Sequence, residues 1–163
     1  MPREKMQIMV CGGTSCTGNQ GEAIIDNLRL ELEANALEND IRVVRSGCFG
    51  LCAIGPVVKI MPGDTVYTKV TPDDAKDIVS EHIMKGRKVE RLLFKDPASK
   101  KTLTTEKELA SQKKQIRIVL RNCGVINPEN IEDAIAHDGY EALAKVLMEW
   151  REPITVGRNF FLR

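Results

Sequence analysis

Apolar runs and polar breaks in the first part of the chain predict a β-α-β-β-β-α order over about 80 residues. Met6–Val10 is a short apolar run, typical of a buried strand, that ends at Cys11. Thr17 and Gln20 have the spacing of a capping box, which predicts that a helix begins there. The apolar stripe of this helix falls on Ile24, Ile25, Leu28, Leu32 and Ala36.

Three further strands and a second helix complete this block. The predicted strands are Ile41–Val44, Val57–Met61 and Thr65–Val70. The last two flank a Pro-Gly-Asp turn and should form a hairpin, while residues 46–56 form a loop before it. Thr71, followed by Pro72 and two aspartates, is a strong helix start, and Gly86 ends this helix.

This order predicts an α/β fold of thioredoxin-like arrangement. A helix between the first two strands implies a right-handed crossover that leaves those strands parallel. The hairpin then extends the sheet, and the final helix covers it. We therefore expect a mixed sheet with two helices, followed by a small C-terminal α+β segment.

The chain divides into three predicted parts, residues 1–94, 95–114 and 115–163. The middle part has six lysines against three acids and little periodicity, so we interpret it as a linker whose lysines are solvated. The last part alternates apolar and polar residues over Gln115–Leu120, which predicts a strand. Two helices should follow, one capped at Asn127 and one over Tyr140–Trp150.

Composition removes several function classes. The 163 residues include 24 basic and 23 acidic side chains, so the chain lacks the basic excess of a nucleic-acid-binding protein. No apolar stretch approaches the roughly 20 residues of a membrane span, and the start lacks the apolar core of a signal peptide. We therefore expect a cytoplasmic protein without membrane insertion. In that compartment clustered cysteines indicate metal or redox chemistry.

Four of the five cysteines form two close pairs, Cys11 with Cys16 and Cys48 with Cys52, and Cys123 stands alone. Each pair follows one of the first two strands. If those strands are parallel, both loops emerge at the same edge of the sheet and the four thiols converge. Glycines in both loops allow close backbone approach to a bulky ligand. We interpret Cys123 as a structural thiol, and His82 as a packed or surface histidine.

Several kinds of centre use converging thiols. A two-iron, two-sulfide cluster and a structural zinc ion both accept four thiolates. Both pairs here are wider than the C-x2-C spacing common in zinc sites, and apolar residues between Cys48 and Cys52 could shield a cluster from water. Disulfides are disfavoured by the compartment, and the C-x-x-C spacing of catalytic dithiols is absent.

The two cysteine motifs resemble those of a known family. Cys11-Gly12-Gly13-Thr14-Ser15-Cys16 and Ser46-Gly47-Cys48-Phe49-Gly50-Leu51-Cys52 are similar to the motifs of the thioredoxin-like two-iron, two-sulfur ferredoxins. The same C-x4-C and C-x3-C pattern occurs in the 24-kDa-type subunit of complex I. This resemblance covers roughly residues 6–86. It implies that Cys11, Cys16, Cys48 and Cys52 hold one 2Fe-2S cluster.

The C-terminal part carries a second resemblance. Residues 121–124 and 139–145 look like the opening of the complex I flavoprotein subunit, and the domain order is similar to the NAD-linked subunit of bacterial electron-bifurcating hydrogenases. The glycine-rich FMN- and NADH-binding loop of those subunits has no counterpart here. Met148–Arg163 has no resemblance that we can name.

The expected function is therefore one-electron transfer to or from the flavin and iron–sulfur subunits of an NAD-linked oxidoreductase or hydrogenase. By itself the chain should act as an electron carrier. At most it is a fragment of an NADH-dependent oxidoreductase subunit. The alternatives are a partial NADH- and FMN-dependent dehydrogenase subunit and a structural four-cysteine zinc module. Related ferredoxins can dimerise through the sheet region, so the resemblance also allows a homodimer.

Overall fold

A four-stranded mixed sheet organises the N-terminal part of the molecule. The structure is a computed structural model, and it describes residues 6–96, 100–108 and 116–149. The strands of the sheet are β1 (Met6–Cys11), β2 (Ile41–Ser46), β3 (Val58–Met61) and β4 (Thr65–Tyr67). Their order across the sheet is β2-β1-β3-β4.

The strand directions confirm the predicted topology. Strand β1 runs parallel to β2, with Met6 opposite Ile41 and Cys11 opposite Ser46. Strand β3 is antiparallel to both β1 and β4, so β3 and β4 form the predicted hairpin. Because β1 and β2 end level with each other, the loops that follow them leave the sheet at the same edge.

Helices cover this sheet. They are α1 (Thr14–Gly18), α2 (Gly21–Ala34) and α3 (Asp74–Asp77), the last of which continues as a π-helical segment over Ile78–Ile83. The apolar stripe of α2 is buried as predicted, and Ile24 and Leu28 are fully inaccessible to solvent. They pack with side chains from β1, β3 and the π-helical segment into one hydrophobic core.

The predicted start of the first long helix is wrong. Thr17 lies inside the short helix α1, where its N–H donates to the Gly13 carbonyl at 2.9 Å, so it does not cap α2. Helix α2 begins four residues later, after Gln20, whose φ of 66° is in the left-handed region. This left-handed residue separates α1 from α2. Ala36 lies beyond the end of α2 and is exposed.

The chain continues along the edge of the sheet after the last helix. Strands β5 (Phe94–Lys95) and β6 (Thr102–Leu103) pair in antiparallel fashion. Isolated bridges join Tyr67 to Leu93 and Thr65 to Thr105, so β4 has neighbours on its outer side. Part of the predicted linker thus carries regular structure, and the three-part division of the chain stays a prediction.

The predicted strand over Gln115–Leu120 is wrong in its described part. Residues 116–120 bend and turn, and no strand of the described sheets pairs with them. Ile116 and Ile118 are 90% and 78% exposed, so the apolar alternation that predicted a strand does not face a core. By its contacts this segment belongs to a compact unit of residues 1–128.

A second compact unit comprises residues 129–163, of which 129–149 are described. It contains helices α4 (Ile131–Ala136) and α5 (Glu141–Glu149). Asn130, rather than Asn127, caps α4, because its side chain accepts a hydrogen bond from the Glu132 N–H at 2.8 Å. Ile131 and Ile135, both on α4, are exposed. The expectation for Trp150 lies outside the described residues.

None of the helices within residues 6–96, 100–108 and 116–149 combines the length and the apolar character needed to cross a lipid bilayer.

Candidate metal centre

The four paired cysteines lie at the end of the sheet where β1 and β2 stop. Cys11 is the last residue of β1, and Cys16 lies in the middle of α1. Cys48 follows β2, and Cys52 begins a short 3-10 turn over Cys52–Ile54. All four thiols are free. The parallel pairing of β1 with β2 therefore brings the two predicted pairs to one edge of the sheet.

Two glycines show how closely the thiols approach the backbone. A Cβ added to Gly13 would lie 3.0 Å from the Cys48 Sγ and 3.6 Å from the Cys11 Sγ, so one residue of the first loop touches both pairs. A Cβ added to Gly55 would lie 2.8 Å from the Cys16 Sγ. A separation this short is a steric clash. These two glycines leave the space that the thiols occupy.

The two pairs differ in their access to water. Cys11 and Cys16 are 3% and 1% exposed and belong to a second hydrophobic core beneath the site. Cys48 and Cys52 are exposed. Among the apolar residues of the second loop, Phe49 and Leu51 are buried, whereas Ala53 is exposed. The site thus has a dry inner side and an outer side that reaches the surface.

The thiols also perturb one another. Burial raises the pKa of Cys11 to about 11, against hydrogen bonds from the backbone of Phe49 and Gly13, and the neighbouring Cys16 raises it further. The charge of Cys48 and partial desolvation raise the pKa of Cys52, and Cys11 adds to this effect. Cys11 and Cys52 therefore resist ionisation beside their neighbours. Bound ferric ions would reverse this tendency, because a coordinating thiol loses its proton to the metal.

Backbone N–H groups point at the sulfur atoms. The Gly50 N–H donates to the Cys48 Sγ at 3.4 Å. The backbone hydrogen bonds that Cys11 receives from Phe49 and Gly13 lower its pKa, as expected of N–H donors that stabilise a thiolate. Such donors stabilise the negative charge of an iron–sulfur cluster and help set its potential. The loops thus supply hydrogen bonds as well as ligands.

The donor set fits a two-iron cluster. Four thiolates are its usual ligands, and they divide into two pairs, one for each iron. In the structure Cys11 interacts with Cys16 and Cys52 interacts with Cys48, which are the two pairs of the sequence. Two pairs of thiolates suit a cluster with two irons. The assignment of the four ligands remains a proposal.

Sequence reasoning missed a group of charged side chains beside the second cysteine loop. Arg117 donates to the Phe49 carbonyl and forms an ion pair with Glu106 at 2.8 Å. Lys59, on β3, is only 6% exposed and pairs with Asp64 at 2.9 Å and with Glu106 at 3.7 Å. A lysine between Val58 and Ile60 in a buried strand was the available signal, because a buried lysine requires a partner.

The segment that contains Cys123 also packs on this loop. The Gly124 N–H donates to the Ser46 Oγ at 3.1 Å, and its carbonyl accepts from Lys59 at 3.2 Å. A Cβ added to Gly47 would lie 3.0 Å from the Cys123 Sγ. Cys123 therefore contacts the backbone just before Cys48, which supports its interpretation as a packing thiol.

Known proteins are similar to this chain in fold and in sequence. The structure of the wild-type thioredoxin-like [2Fe-2S] ferredoxin from Aquifex aeolicus aligns with a TM-score of 0.51 and 25% identity, covering 57% of this chain and 99% of that one. The 2Fe-2S ferredoxin of Clostridium pasteurianum is 34% identical over 100 residues, which are 56% of this chain and 98% of the relative.

A larger protein shares a shorter segment. The NADP-reducing hydrogenase subunit HndC of Solidesulfovibrio fructosivorans is 65% identical over 37 residues, 23% of this chain but only 8% of that subunit. The family model for thioredoxin-like [2Fe-2S] ferredoxins matches residues 1–82, half of the chain. A 2Fe-2S cluster is the cofactor of that family. The fold, the paired cysteines and these similarities together place the chain in the family of thioredoxin-like [2Fe-2S] ferredoxins.

Proposed function

We propose that this protein carries single electrons on a 2Fe-2S cluster held by Cys11, Cys16, Cys48 and Cys52. The observation that carries the proposal is the meeting of both cysteine pairs at Gly13, whose added Cβ would touch the thiols of Cys48 and Cys11. When bound, the cluster supplies a one-electron redox couple. The chain supplies the ligands, a partly dry environment and hydrogen bonds to sulfur.

The uneven burial of the two cysteine pairs determines from which side a redox partner can approach the site. Cys11 and Cys16 lie in the hydrophobic core, so no partner reaches the site through them. Cys48 and Cys52 are exposed and form the side that a redox partner can approach. We therefore place the contact with the electron donor and acceptor at the second cysteine loop.

The proposed partners are flavin- and iron–sulfur-containing subunits of an NAD-linked oxidoreductase or hydrogenase in the cytoplasm. The local identity to a subunit of an NADP-reducing hydrogenase supports this proposal. So do the exposed apolar side chains of residues 129–149, which suit contact with another protein: Ile131, Ile135, Leu143, Leu147 and Met148. A homodimer through the sheet is a second proposed assembly.

A redox titration of the anaerobically purified chain tests the carrier function. We expect a reversible couple that takes up one electron per chain and gives an EPR signal only when reduced. A purified flavoprotein subunit reduced with NADH should then reduce the cluster in a stopped-flow experiment. A colourless protein with one zinc per chain would exclude the carrier role. NADH oxidation by the isolated chain with bound FMN would instead indicate a dehydrogenase subunit.

A further inference from the structure

One peptide group in the second cysteine loop is held at both ends. Its N–H, on Gly50, donates to the Cys48 Sγ at 3.4 Å. Its carbonyl, on Phe49, accepts a hydrogen bond from the Arg117 guanidinium. Gly50 has a φ of 74°, a conformation that residues with a side chain adopt at a cost. The plane of this peptide is therefore fixed by the arginine on one side and the cysteine sulfur on the other.

Arg117 is itself anchored. Its guanidinium pairs with Glu106 at 2.8 Å, and the two side chains are only 22% and 17% exposed. Glu106 also lies 3.7 Å from the Nζ of Lys59, a buried residue of β3. The arginine is thus tied to the sheet and differs from a solvated surface arginine, whose charge water screens.

Through this peptide group, the charge of Arg117 can act on the sulfur of Cys48. A cation on the carbonyl side of a peptide polarises that peptide and strengthens the hydrogen bond donated by its N–H. The carboxylate of Glu106 opposes the effect because it offsets part of the positive charge. Both side chains are more than three-quarters buried, so solvent screening of this pair is incomplete.

We propose that Arg117 is a positioning residue that raises the reduction potential of the cluster through the Phe49–Gly50 peptide, and that Glu106 lowers it. The inference rests on the proposed function, since it requires a cluster on Cys48. Reduction adds one electron from an external donor to the cluster, and no covalent bond forms or breaks. Positive charge and N–H donors near sulfur stabilise the added negative charge.

The test compares four glutamine variants and one lysine variant, Arg117→Lys, of the full chain, each with its cluster assembled. Arg117→Gln and Glu106→Gln alter the proposed pair. Arg87→Gln and Glu81→Gln alter a matched pair, joined at 2.7 Å and more exposed. Glu81 and Arg87 flank Ile83 and Met84 in the chain. Ile83 and Met84 line a groove with Met6, at the opposite end of β1 from Cys11. Potentials are measured by EPR-monitored titration with dithionite and mediators.

We expect Arg117→Gln to lower the reduction potential of the cluster. At a fixed solution potential, the ratio of reduced to oxidised cluster should fall by up to about tenfold, which corresponds to a change in potential of about 59 mV for one electron. Glu106→Gln should shift the potential in the opposite direction, and the control pair should leave it unchanged. Arg117→Lys keeps the charge but loses the planar fork, so its potential should fall between wild type and Arg117→Gln.

A wild-type potential in Arg117→Gln, with full iron content, would overturn the inference and leave the proposed function intact. A shift of the reduction potential in the same direction in both Arg117→Gln and Glu106→Gln would also overturn the inference. If Arg117→Gln fails to hold iron, Glu106→Gln alone tests the inference. A raised potential in Glu106→Gln supports it, and an unchanged or lowered potential overturns it. A wild-type chain that binds no cluster would overturn the proposed function and this inference together.

Discussion

Single residues decide whether the cluster site forms, and the fifth cysteine provides an internal control. Cys16 is buried among the site residues, whereas Cys123 contacts the backbone of Gly47. Cys16→Ser should abolish or alter the visible absorption of the cluster, because a serine oxygen is a poorer ligand for iron than a thiolate. Cys123→Ser should leave the spectrum unchanged. An altered spectrum in the Cys123 variant would contradict the assignment of four ligands and one packing thiol.

His82 couples stability to pH through its contact with a buried tyrosine. The Tyr67 hydroxyl accepts from the Val89 N–H at 3.0 Å and lies 2.7 Å from the His82 Nδ1, which suits a hydroxyl that donates to a neutral imidazole. Burial lowers the pKa of His82, and Lys88 lowers it further. At pH values just below the ordinary pKa of histidine, the unfolded chain therefore binds more protons than the folded chain, because His82 is protonated more readily when unfolded.

The contribution of His82 to the free energy of unfolding should therefore be fully present above about pH 6.5 and decrease as the pH drops below that value. Urea unfolding of the wild type at about pH 7.5 and about pH 5.5 should show a lower midpoint at the acidic pH. His82→Gln should lose most of this difference, because it cannot be protonated in this range. An equal loss of stability in the variant would assign the acid sensitivity to other groups.

At the scale of secondary-structure elements, the loops around α1 depend on glycines that leave room for thiols. Gly13→Ala and Gly55→Ala would place a Cβ 3.0 Å from the Cys48 Sγ and 2.8 Å from the Cys16 Sγ. Both variants should hold less iron per chain than the wild type, as measured by iron analysis after anaerobic assembly. Gly18→Ala is the matched control, since its added Cβ has no neighbour within 4 Å. Full iron content in both variants would show that the thiols can move aside.

Helix α2 is held on the sheet by its apolar face. Leu28 is fully buried, whereas Leu30 on the same helix is 62% exposed. Leu28→Ala should lower the free energy of unfolding by about 2–5 kcal/mol through lost burial and the cavity left behind. Leu30→Ala should change it by less than about 0.5 kcal/mol. Urea denaturation of both variants measures the difference, and equal losses would contradict the packing described here.

Elements with one buried face were predictable from the sequence, and elements defined by long-range contacts were not. Strand β1 and the stripe of α2 follow from local periodicity, and the structure confirms both except at Ala36, which lies beyond the helix. The short helix α1 was missed, because Thr17 has the local pattern of a cap although its N–H is bonded within a helical turn. The alternation at Ile116 and Ile118 predicted a strand where the chain turns and both side chains are exposed.

At the scale of the whole molecule, the topology was the decisive prediction. The parallel pairing of β1 and β2 follows from one crossover, and it brings two cysteine pairs that are separated by 31 intervening residues to the same edge. The charged group of Lys59, Glu106 and Arg117 was not predictable in this way. Its members are far apart in the sequence, and no local pattern indicates that they meet.

The roles of the N-terminal and later parts of the chain are also a question at the scale of the whole molecule. The ferredoxin family accounts for residues 1–82. Residues 116–124 pack against the second cysteine loop through Arg117 and Gly124, within the compact unit of residues 1–128. The segment that resembles a flavoprotein subunit therefore begins with residues that support the proposed cluster site.

Native mass spectrometry of the anaerobically prepared chain tests the central claim most directly. The account predicts a mass above that of the polypeptide by two iron and two sulfide ions per chain, and loss of this increment when Cys11, Cys16, Cys48 or Cys52 is replaced by alanine, which has no donor atom for iron. A chain that carries one zinc ion, or one that keeps two irons after any of these substitutions, would contradict it.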